Sequence, residues 1–232
     1  MEKVKQQPKC VGFIMDGNRR FAMKNGKRSI EGHKEGYNKL KEILKWVKEA
    51  NIAHAIVYAF STENWNRGKE EVDTLISLLR FTLSKRIDEL VNKGIKLRFV
   101  GDLSKFGKSL QRLIEKAEKQ TEGNSALTLY IALSYGGRAE ILNAIKEISK
   151  ISKEKIEKLD EESIKDYLWT KDMPDPDLVI RTGGEMRLSN FLPYQTAYSE
   201  LFFTETLWPD FSRDEFDKIL KEFGNRKRNH GK

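Results

Sequence analysis

The side chains best able to do chemistry in this chain lie in three turns that combine glycine or small polar residues with arginine. The turns occupy residues 16–21 (DGNRRF), 61–67 (STENWNR) and 181–189 (RTGGEMRLS). Glycine lets a turn bring its backbone N–H groups close to a ligand, and the arginine fork matches phosphate oxygens. The three turns together predict a site for phosphorylated ligands.

One carboxylate stands among these donors. Asp16 would repel a phosphate unless a cation lay between them, and Mg²⁺ suits that place because it commonly takes one or two carboxylates plus substrate phosphates. Taken singly, each turn is also typical of a solvated surface loop, since neither a GxxxxGK[ST] nor a GxGxxG motif is present. Three arginine-bearing turns of this kind favour the binding interpretation.

Each turn follows a short apolar run of the kind that forms a buried strand. Such runs occur at 11–15, 55–60, 97–100, 127–133, 178–180 and 201–203. Helical patterns separate most of them, at 34–50, 70–92, 103–120, 138–150 and 161–169, and Ser212 with Glu215 predicts a capping box for a last helix. Strands that alternate with helices predict a parallel sheet, and ligands bind beyond the carboxyl ends of such strands.

The composition is that of one globular α/β domain over residues 1–232. No apolar run is long enough to cross a membrane, and the short polar N-terminus lacks a signal-peptide core, so we expect a cytoplasmic protein. Cys10 is the only cysteine, which excludes an intrachain disulfide and argues against a zinc cluster. The polar ends, 1–9 and 225–232, are predicted to be flexible tails. The net charge of +8 fits either a solubilising surface or an anionic partner.

The sequence closely resembles the cis-prenyltransferases, of the undecaprenyl diphosphate synthase type. The matching blocks are 14–20, 32–33, 58–67, 178–185, 187–191 and 197–201, in family order from about Cys10 to Arg228. The resemblance implies a mostly parallel six-stranded sheet flanked by helices, an apolar substrate tunnel and a homodimer. It implies condensation of isopentenyl diphosphate with a farnesyl-type allylic diphosphate to a longer Z-polyprenyl diphosphate, the precursor of a lipid carrier for cell-wall glycan. Peripheral membrane contact for product release would be compatible with this activity.

The resemblance also implies roles for individual residues. Asp16 would hold the Mg²⁺ cofactor and assist departure of the allylic diphosphate, and Glu200 would join the metal site with help from the other subunit. Asn64 would position the departing proton, because a neutral amide is a poor base. Arg181, Arg187 and Ser189 would hold isopentenyl diphosphate. The other expected substrate-binding residues are Gly17, Asn18, Arg19, Arg20, Phe21, Arg28, His33, Ser61, Thr62, Glu63, Trp65 and Arg67.

Two positions depart from the family pattern. Ser29 stands where the family often has an arginine, with Arg28 beside it, and Asn229 replaces an arginine of the tail, with Arg228 beside it. The basic segment 226–228 would have no evident partner on an isolated chain, so it is either solvated or directed to a diphosphate in a neighbouring subunit.

Two other classes of protein are alternatives. A non-catalytic partner subunit would lack the metal aspartate and parts of the arginine set, both of which are present here. A nucleic-acid-binding protein would show a basic stripe with stacking aromatics. Here the arginines lie in strand-end turns instead, so we expect no nucleic-acid partner.

Overall fold

A six-stranded parallel sheet forms the centre of the protein. The computed structural model describes residues 6–226. The sheet contains β1 (Cys10–Ile14), β2 (His54–Ser61), β3 (Ile95–Val100), β4 (Leu127–Tyr135), β5 (Leu178–Arg181) and β6 (Glu200–Phe203). The strand order is β3-β4-β2-β1-β5-β6, and every pairing among these strands is parallel. The predicted α/β fold is confirmed, and the sheet is parallel throughout.

Helices flank the sheet. They are α1 (Asn18–Lys24), α2 (Ser29–Glu49), α3 (Lys69–Lys85), α4 (Ile87–Asn92), α5 (Lys108–Gln120), α6 (Gly137–Ile148), α7 (Lys153–Ile156) and α8 (Arg213–Asn225). Short 3-10 turns lie at Thr62–Asn66, Leu103–Lys105, Ser163–Tyr167 and Trp208–Asp210. The capping box of α8 is confirmed, because the Glu215 amide donates to the Ser212 hydroxyl and the Ser212 amide donates to the Glu215 carboxylate.

Three of the predicted helices differ from the observed ones. The helix predicted over 70–92 breaks at Arg86, whose φ of −125° leaves the helical region, and the chain re-enters a helix with Ile87 buried. The pattern at 161–169 yields only a 3-10 turn, because Asp160 and Ser163 exchange hydrogen bonds that fix a local turn. The pattern at 103–120 begins as a 3-10 turn capped by Asp102.

The packing of α1 against α2 sets up the functional end of the sheet. A Cβ atom at Gly32 would lie 2.1 Å from the Asn18 carbonyl oxygen, and one at Gly36 would lie 2.1 Å from Asn18 Oδ1. Only glycine permits this approach. The Trp208 indole locks the same region by donating to the Gly36 carbonyl at 2.8 Å. Asn18 and α2 are therefore held in direct contact beyond the end of β1.

The end of α8 is fixed to the edge strand β6. Arg226 donates to Glu200 at 2.6 Å and to Glu222 at 2.8 Å, and its guanidinium lies 4.0 Å from the centroid of the Phe202 ring. The expectation that this arginine lacks a partner within one chain is therefore wrong. The remaining tail residues, 227–232, and residues 1–5 lie outside the described part of the chain. Within the described residues, no helix combines the length and the apolar character needed to cross a membrane.

Candidate active site

The three arginine-bearing turns meet at one edge of the sheet, because β1 lies between β2 and β5. Ile14 at the end of β1 is in register with Arg181 at the end of β5. Asp16 accepts a hydrogen bond from Arg181 Nη2 at 3.0 Å. Its other carboxylate oxygen forms an ion pair with Arg20 Nη2 at 3.2 Å. Gly183 makes room for this cluster, since a Cβ atom there would lie 2.5 Å from the Arg20 guanidinium.

A second carboxylate, Glu71 near the start of α3, gathers three more basic groups. Arg67 donates to it at 2.8 Å, Arg19 lies at 3.5 Å and His33 Nε2 at 3.8 Å. Burial lowers the pKa of the His33 imidazole, and although Glu71 opposes this effect, Arg67 and Arg19 add to it. His33 is therefore held neutral near pH 7, as a hydrogen-bonding group rather than a cation.

A polar cavity of ≈ 330 Å³ opens between these clusters. Two of its lining residues, Asn18 and His33, each carry a buried side-chain atom, Oδ1 and Nε2, without a hydrogen-bond partner among the described residues. Buried polar atoms are normally satisfied, so these two are exceptions beside the cavity. The cavity is lined by Met15, Asp16, Gly17, Asn18, Arg19, Arg20, Met23, His33 and Arg67.

An apolar cavity of ≈ 240 Å³ adjoins the polar one, and Met15, Asn18, His33 and Arg67 line both. It runs between the sheet and the pair α2 and α3, where an apolar tunnel was expected. Its apolar lining includes Leu40, Val57, Leu75, Ile76, Leu79, Ile131 and Leu133. A molecule with an anionic head and a hydrocarbon tail could place each part in a matching environment.

The third turn is shaped by Arg181, which is only 4% exposed. Its Nη1 donates to the Ser189 hydroxyl at 2.7 Å and to the Arg187 carbonyl. Ser189 and Asn190 have φ of 48° and 67°, in the left-handed region that non-glycine residues rarely adopt. The Arg187 side chain is 62% exposed and pairs with Glu185. Arg181 therefore joins this loop to Asp16, and Arg187 is the exposed guanidinium of the loop.

The second turn carries Asn64, whose amide oxygen accepts from the Ser61 backbone N–H at 3.0 Å. That hydrogen bond holds the turn and uses one of the two acceptor positions of the amide oxygen. Glu63 beside it accepts from Thr62 at 3.0 Å and from the Asn190 side chain at 2.9 Å. Burial raises the pKa of Glu63, but the hydrogen bonds, led by that from Asn190, outweigh it and leave the pKa lowered.

Comparison with known proteins decides the family. The family described as putative undecaprenyl diphosphate synthase matches residues 14–231. The chain belongs to the cis-prenyltransferase family. It is 47% identical to the tritrans,polycis-undecaprenyl-diphosphate synthase (geranylgeranyl-diphosphate specific) of Thermococcus kodakarensis, over 100% of this chain and 90% of that protein. It is 45% identical to the isoprenyl transferase of Aquifex pyrophilus, over 97% of this chain and 96% of that protein.

Solved structures of cis-prenyltransferases share the fold. Lavandulyl diphosphate synthase from Lavandula x intermedia, in complex with dimethylallyl diphosphate, superposes with a TM-score of 0.92 at 33% identity, covering 100% of both chains. A probable undecaprenyl diphosphate synthase from Campylobacter jejuni gives a TM-score of 0.82 at 35% identity, over 98% of this chain and 100% of that one.

Some residues expected to act in this cis-prenyltransferase lie away from the cavities. Arg28 is the N-cap of α2, its side chain is 84% exposed, and it pairs with Glu31. Phe21 lies on α1, where the Lys27 ammonium is 5.7 Å from its ring centroid. Neither residue lines the polar or the apolar cavity. The structure gives Arg28 no contact by which it would replace the arginine missing at Ser29.

Trp65 and Glu200 also differ from expectation. Trp65 donates to the Ser134 hydroxyl at 2.9 Å and packs on two phenylalanines, so it anchors the turn in the core. Glu200 is in register with Leu178, which is in register with Val11. The end of β1 at Ile14 lies three residues beyond Val11, or about 10 Å at about 3.3 Å per residue, and Asp16 lies beyond that end. Within one chain, Glu200 and Asp16 cannot share a metal ion.

Sequence reasoning missed three residues of this site. Glu71 is four positions after Arg67, a spacing that predicts a helical ion pair. Asn190 bridges Glu63 and the Arg138 backbone N–H, at 2.9 Å in each case. The Tyr58 hydroxyl donates to the carbonyls of Tyr135 at 3.2 Å and Ser189 at 3.4 Å. The contacts of Asn190 and Tyr58 depend on the conformation of loops, and the sequence gives no signal for that conformation.

Proposed function

We propose that this chain condenses isopentenyl diphosphate with a farnesyl-type allylic diphosphate and makes a longer Z-polyprenyl diphosphate. The observation that carries the proposal is the polar cavity that adjoins an apolar one, with four residues lining both. An allylic diphosphate has the same division, a charged head on a hydrocarbon tail. The family membership supports the same reaction class.

Asp16 is the residue that would hold Mg²⁺. The residues fit a magnesium site in which substrate supplies most of the ligands, since Mg²⁺ commonly takes one or two carboxylates plus phosphate oxygens. No group of three His, Cys, Asp or Glu side chains in the described residues could form a metal site of protein ligands alone. When bound, the ion would help neutralise the charge of the departing diphosphate.

The remaining roles follow from where the side chains lie. Arg19, Arg20 and Arg67 bind and orient the allylic diphosphate, while the apolar cavity excludes water from its hydrocarbon tail. Arg187 and Ser189 bind isopentenyl diphosphate from the other side of Asp16. The isopentenyl double bond attacks the allylic carbon, diphosphate leaves, and a proton is lost. Because a neutral amide is a poor base, we assign that proton to a diphosphate oxygen, with Asn64 fixing the turn.

The proposal includes a homodimer. Helix α6 exposes Ile141, Leu142 and Ile145 to 37%, 53% and 56%, and an apolar cluster of this kind is typical of an interface. A second chain is also the only source from which Glu200 could reach a metal site at Asp16. Light scattering after size exclusion would test this, with Ile145→Lys expected to shift the protein toward monomer.

We further place the enzyme in the cytoplasm, with membrane contact during product release, as a supplier of the lipid carrier for cell-wall glycan. The membrane contact follows from the water-insoluble tail that the proposed product would carry. Its test is a flotation assay in which the protein is mixed with liposomes after it has been loaded with product. Protein that stays at the bottom of the gradient would contradict membrane contact.

The decisive experiment is incorporation of radiolabelled isopentenyl diphosphate into butanol-extractable product. Farnesyl and geranylgeranyl diphosphate should be compared as starters, since the Thermococcus relative is described as geranylgeranyl-specific. We expect incorporation with at least one starter, its loss with EDTA and its return with Mg²⁺. Absence of incorporation with every allylic starter would refute the proposal, and a gel shift with nucleic acid would then favour the binding alternative.

A further inference from the structure

One residue, Asn190, joins two of the three turns to helix α6. Its side-chain Nδ2 donates to the Glu63 carboxylate in the second turn, and its Oδ1 accepts from the Arg138 backbone N–H, at 2.9 Å in each case. Its carbonyl accepts from the Gly137 backbone N–H, also at 2.9 Å. Asn190 directly follows Ser189, the last residue of the third turn. The hydrogen bonds of a single residue therefore connect the second turn, the third turn and the start of α6.

The chain is shaped to permit this close approach. Asn190 has a φ of 67°, in the left-handed region that asparagine enters more readily than most residues. On the facing segment, a Cβ atom at Gly136 would lie 2.7 Å from Asn190 Nδ2 and 2.4 Å from the Thr62 hydroxyl oxygen. A larger residue at position 136 would push Asn190 away from the second turn.

Part of what Asn190 does is structural. The first N–H groups of a helix have no acceptor within the helix, and the N-cap residue of α6, Gly136, has no side chain that could supply one. Asn190 provides acceptors for two of these groups, those of Gly137 and Arg138. The bond from Asn190 Nδ2 to Glu63 contributes nothing to this cap. The capping role and the link to the second turn can therefore be separated by mutation.

The link bears on the half of the site assigned to isopentenyl diphosphate, so this inference rests on the proposed function. Ser189, which would bind that substrate, is the immediate neighbour of Asn190 and accepts from Arg181 on its other side. The allylic half is held differently, because Arg67 is fixed by Glu71 and Arg20 by Asp16. Asn190 itself lines neither cavity.

We propose that Asn190 is a positioning residue that fixes the loop of Arg187 and Ser189 against the second turn through Glu63, and so sets the affinity for isopentenyl diphosphate. Loss of the link frees the loop, and the two phosphate-binding side chains are then no longer held in one arrangement. The allylic half keeps its own anchors. The expected signature is a rise in KM for isopentenyl diphosphate, with KM for the allylic diphosphate within about twofold of wild type.

Asn190→Asp separates the link from the cap. The new carboxylate still accepts from the Arg138 N–H and suits a helix N-terminus, so the melting temperature should not fall. The pKa of Glu63 is lowered in spite of its partial burial, so the new carboxylate faces an anion where Nδ2 donated a hydrogen bond. We expect KM for isopentenyl diphosphate to rise about tenfold or more, the scale of losing a hydrogen bond to a charged group.

The matched control is the same change made in a Glu63→Gln background. There the amide at position 63 can donate to the carboxylate at position 190 and still accept from the Thr62 hydroxyl, so the link is restored with its polarity reversed. The double variant should have a KM for isopentenyl diphosphate within about threefold of Glu63→Gln alone. Steady-state kinetics with each substrate varied in turn, together with thermal unfolding, would measure all three variants.

A second variant keeps the test independent of the charge introduced by aspartate. Asn190→Gly permits the same backbone conformation and removes both side-chain hydrogen bonds, so KM for isopentenyl diphosphate should again rise about tenfold. An unchanged KM in both Asn190→Asp and Asn190→Gly would overturn the proposal. So would an equal cost of Asn190→Asp in the two backgrounds, or a KM change confined to variants with a lowered melting temperature, which would mark Asn190 as a helix cap alone. Failure of the wild type to incorporate isopentenyl units would instead refute the proposed function itself.

Discussion

The two phosphate-facing halves of the site differ in how their cations are held. In the half beside β1, the basic groups share two carboxylates, Asp16 and Glu71, whose side chains are 34% and 20% exposed. In the half beside β5, Arg187 has one exposed partner, and the loop is shaped by left-handed backbone conformations. One half is therefore an assembled charge network that a ligand must enter, while the other presents a single accessible guanidinium.

The largest effect should come from Asp16, because it pairs with Arg20 in one half and with Arg181 in the other. Asp16→Ala removes the expected Mg²⁺ ligand and leaves the buried Arg181 guanidinium without its carboxylate. We expect kcat to fall by about a hundredfold or more, since a metal ion contributes several kcal/mol of charge stabilisation. The circular dichroism spectrum should be retained. Turnover within a few-fold of wild type would remove Asp16 from the mechanism.

The division between the halves can be tested with one arginine from each. Arg187→Ala should raise KM mainly for isopentenyl diphosphate, and Arg20→Ala mainly for the allylic substrate. A hydrogen bond to a charged group contributes about 1.5–3 kcal/mol, so each change should be about tenfold to a hundredfold. Steady-state kinetics with each substrate varied in turn would measure this. Equal effects of both variants on both KM values would show that the two halves do not serve different substrates.

A smaller effect is expected at Glu71, where a substitution should strengthen binding of a diphosphate instead of weakening it. As an anion among Arg19, Arg67 and His33, it competes with a bound diphosphate for the same donors. Glu71→Gln should therefore tighten inhibition by inorganic pyrophosphate by about twofold to fivefold, the scale of a partly exposed ion pair. Glu70→Gln, at the neighbouring position, is the control. Weaker inhibition in Glu71→Gln would mean that this carboxylate orients the arginines instead of competing with the ligand.

The smallest effect concerns pH and His33. Its pKa in the folded protein is lowered, so the unfolded chain takes up the proton first as the pH falls through the ordinary histidine range near 6.5. Stability should consequently decrease on acidification, and part of that decrease should vanish in His33→Gln. Thermal unfolding of both proteins at about pH 7.5 and pH 5.5 would show it. An identical loss of melting temperature in the two proteins would contradict the lowered pKa.

Much of the fold was predictable, because local patterns determine it. Buried parallel strands are continuous apolar runs, and Ser212 with Glu215 marks the start of α8 without reference to the rest of the chain. The break at Arg86 was not predictable, since the apolar pattern continues through it into Ile87. Its cause lies in tertiary packing.

The site was predictable in its residue types and less so in their contacts. The meeting of the three turns followed from the rule that ligands bind at the carboxyl ends of strands. The distance between Asp16 and Glu200 could not be predicted in this way, because it depends on the register of strands β1, β5 and β6. Asn190 acts through a left-handed backbone conformation, and its sequence neighbours give no sign of that conformation.

The strand order also determines how the sheet is completed as the chain is made. β1 and β2, the first strands to leave the ribosome, occupy the middle of the sheet, and one side of β1 is paired only by β5. About 160 residues separate the end of β1 from the start of β5, or roughly ten to thirty seconds of synthesis. Throughout that interval the nascent chain carries an unpaired apolar strand edge. Such an edge is a template for wrong pairing, so co-translational chaperone binding should be concentrated on this protein before residue 178 emerges.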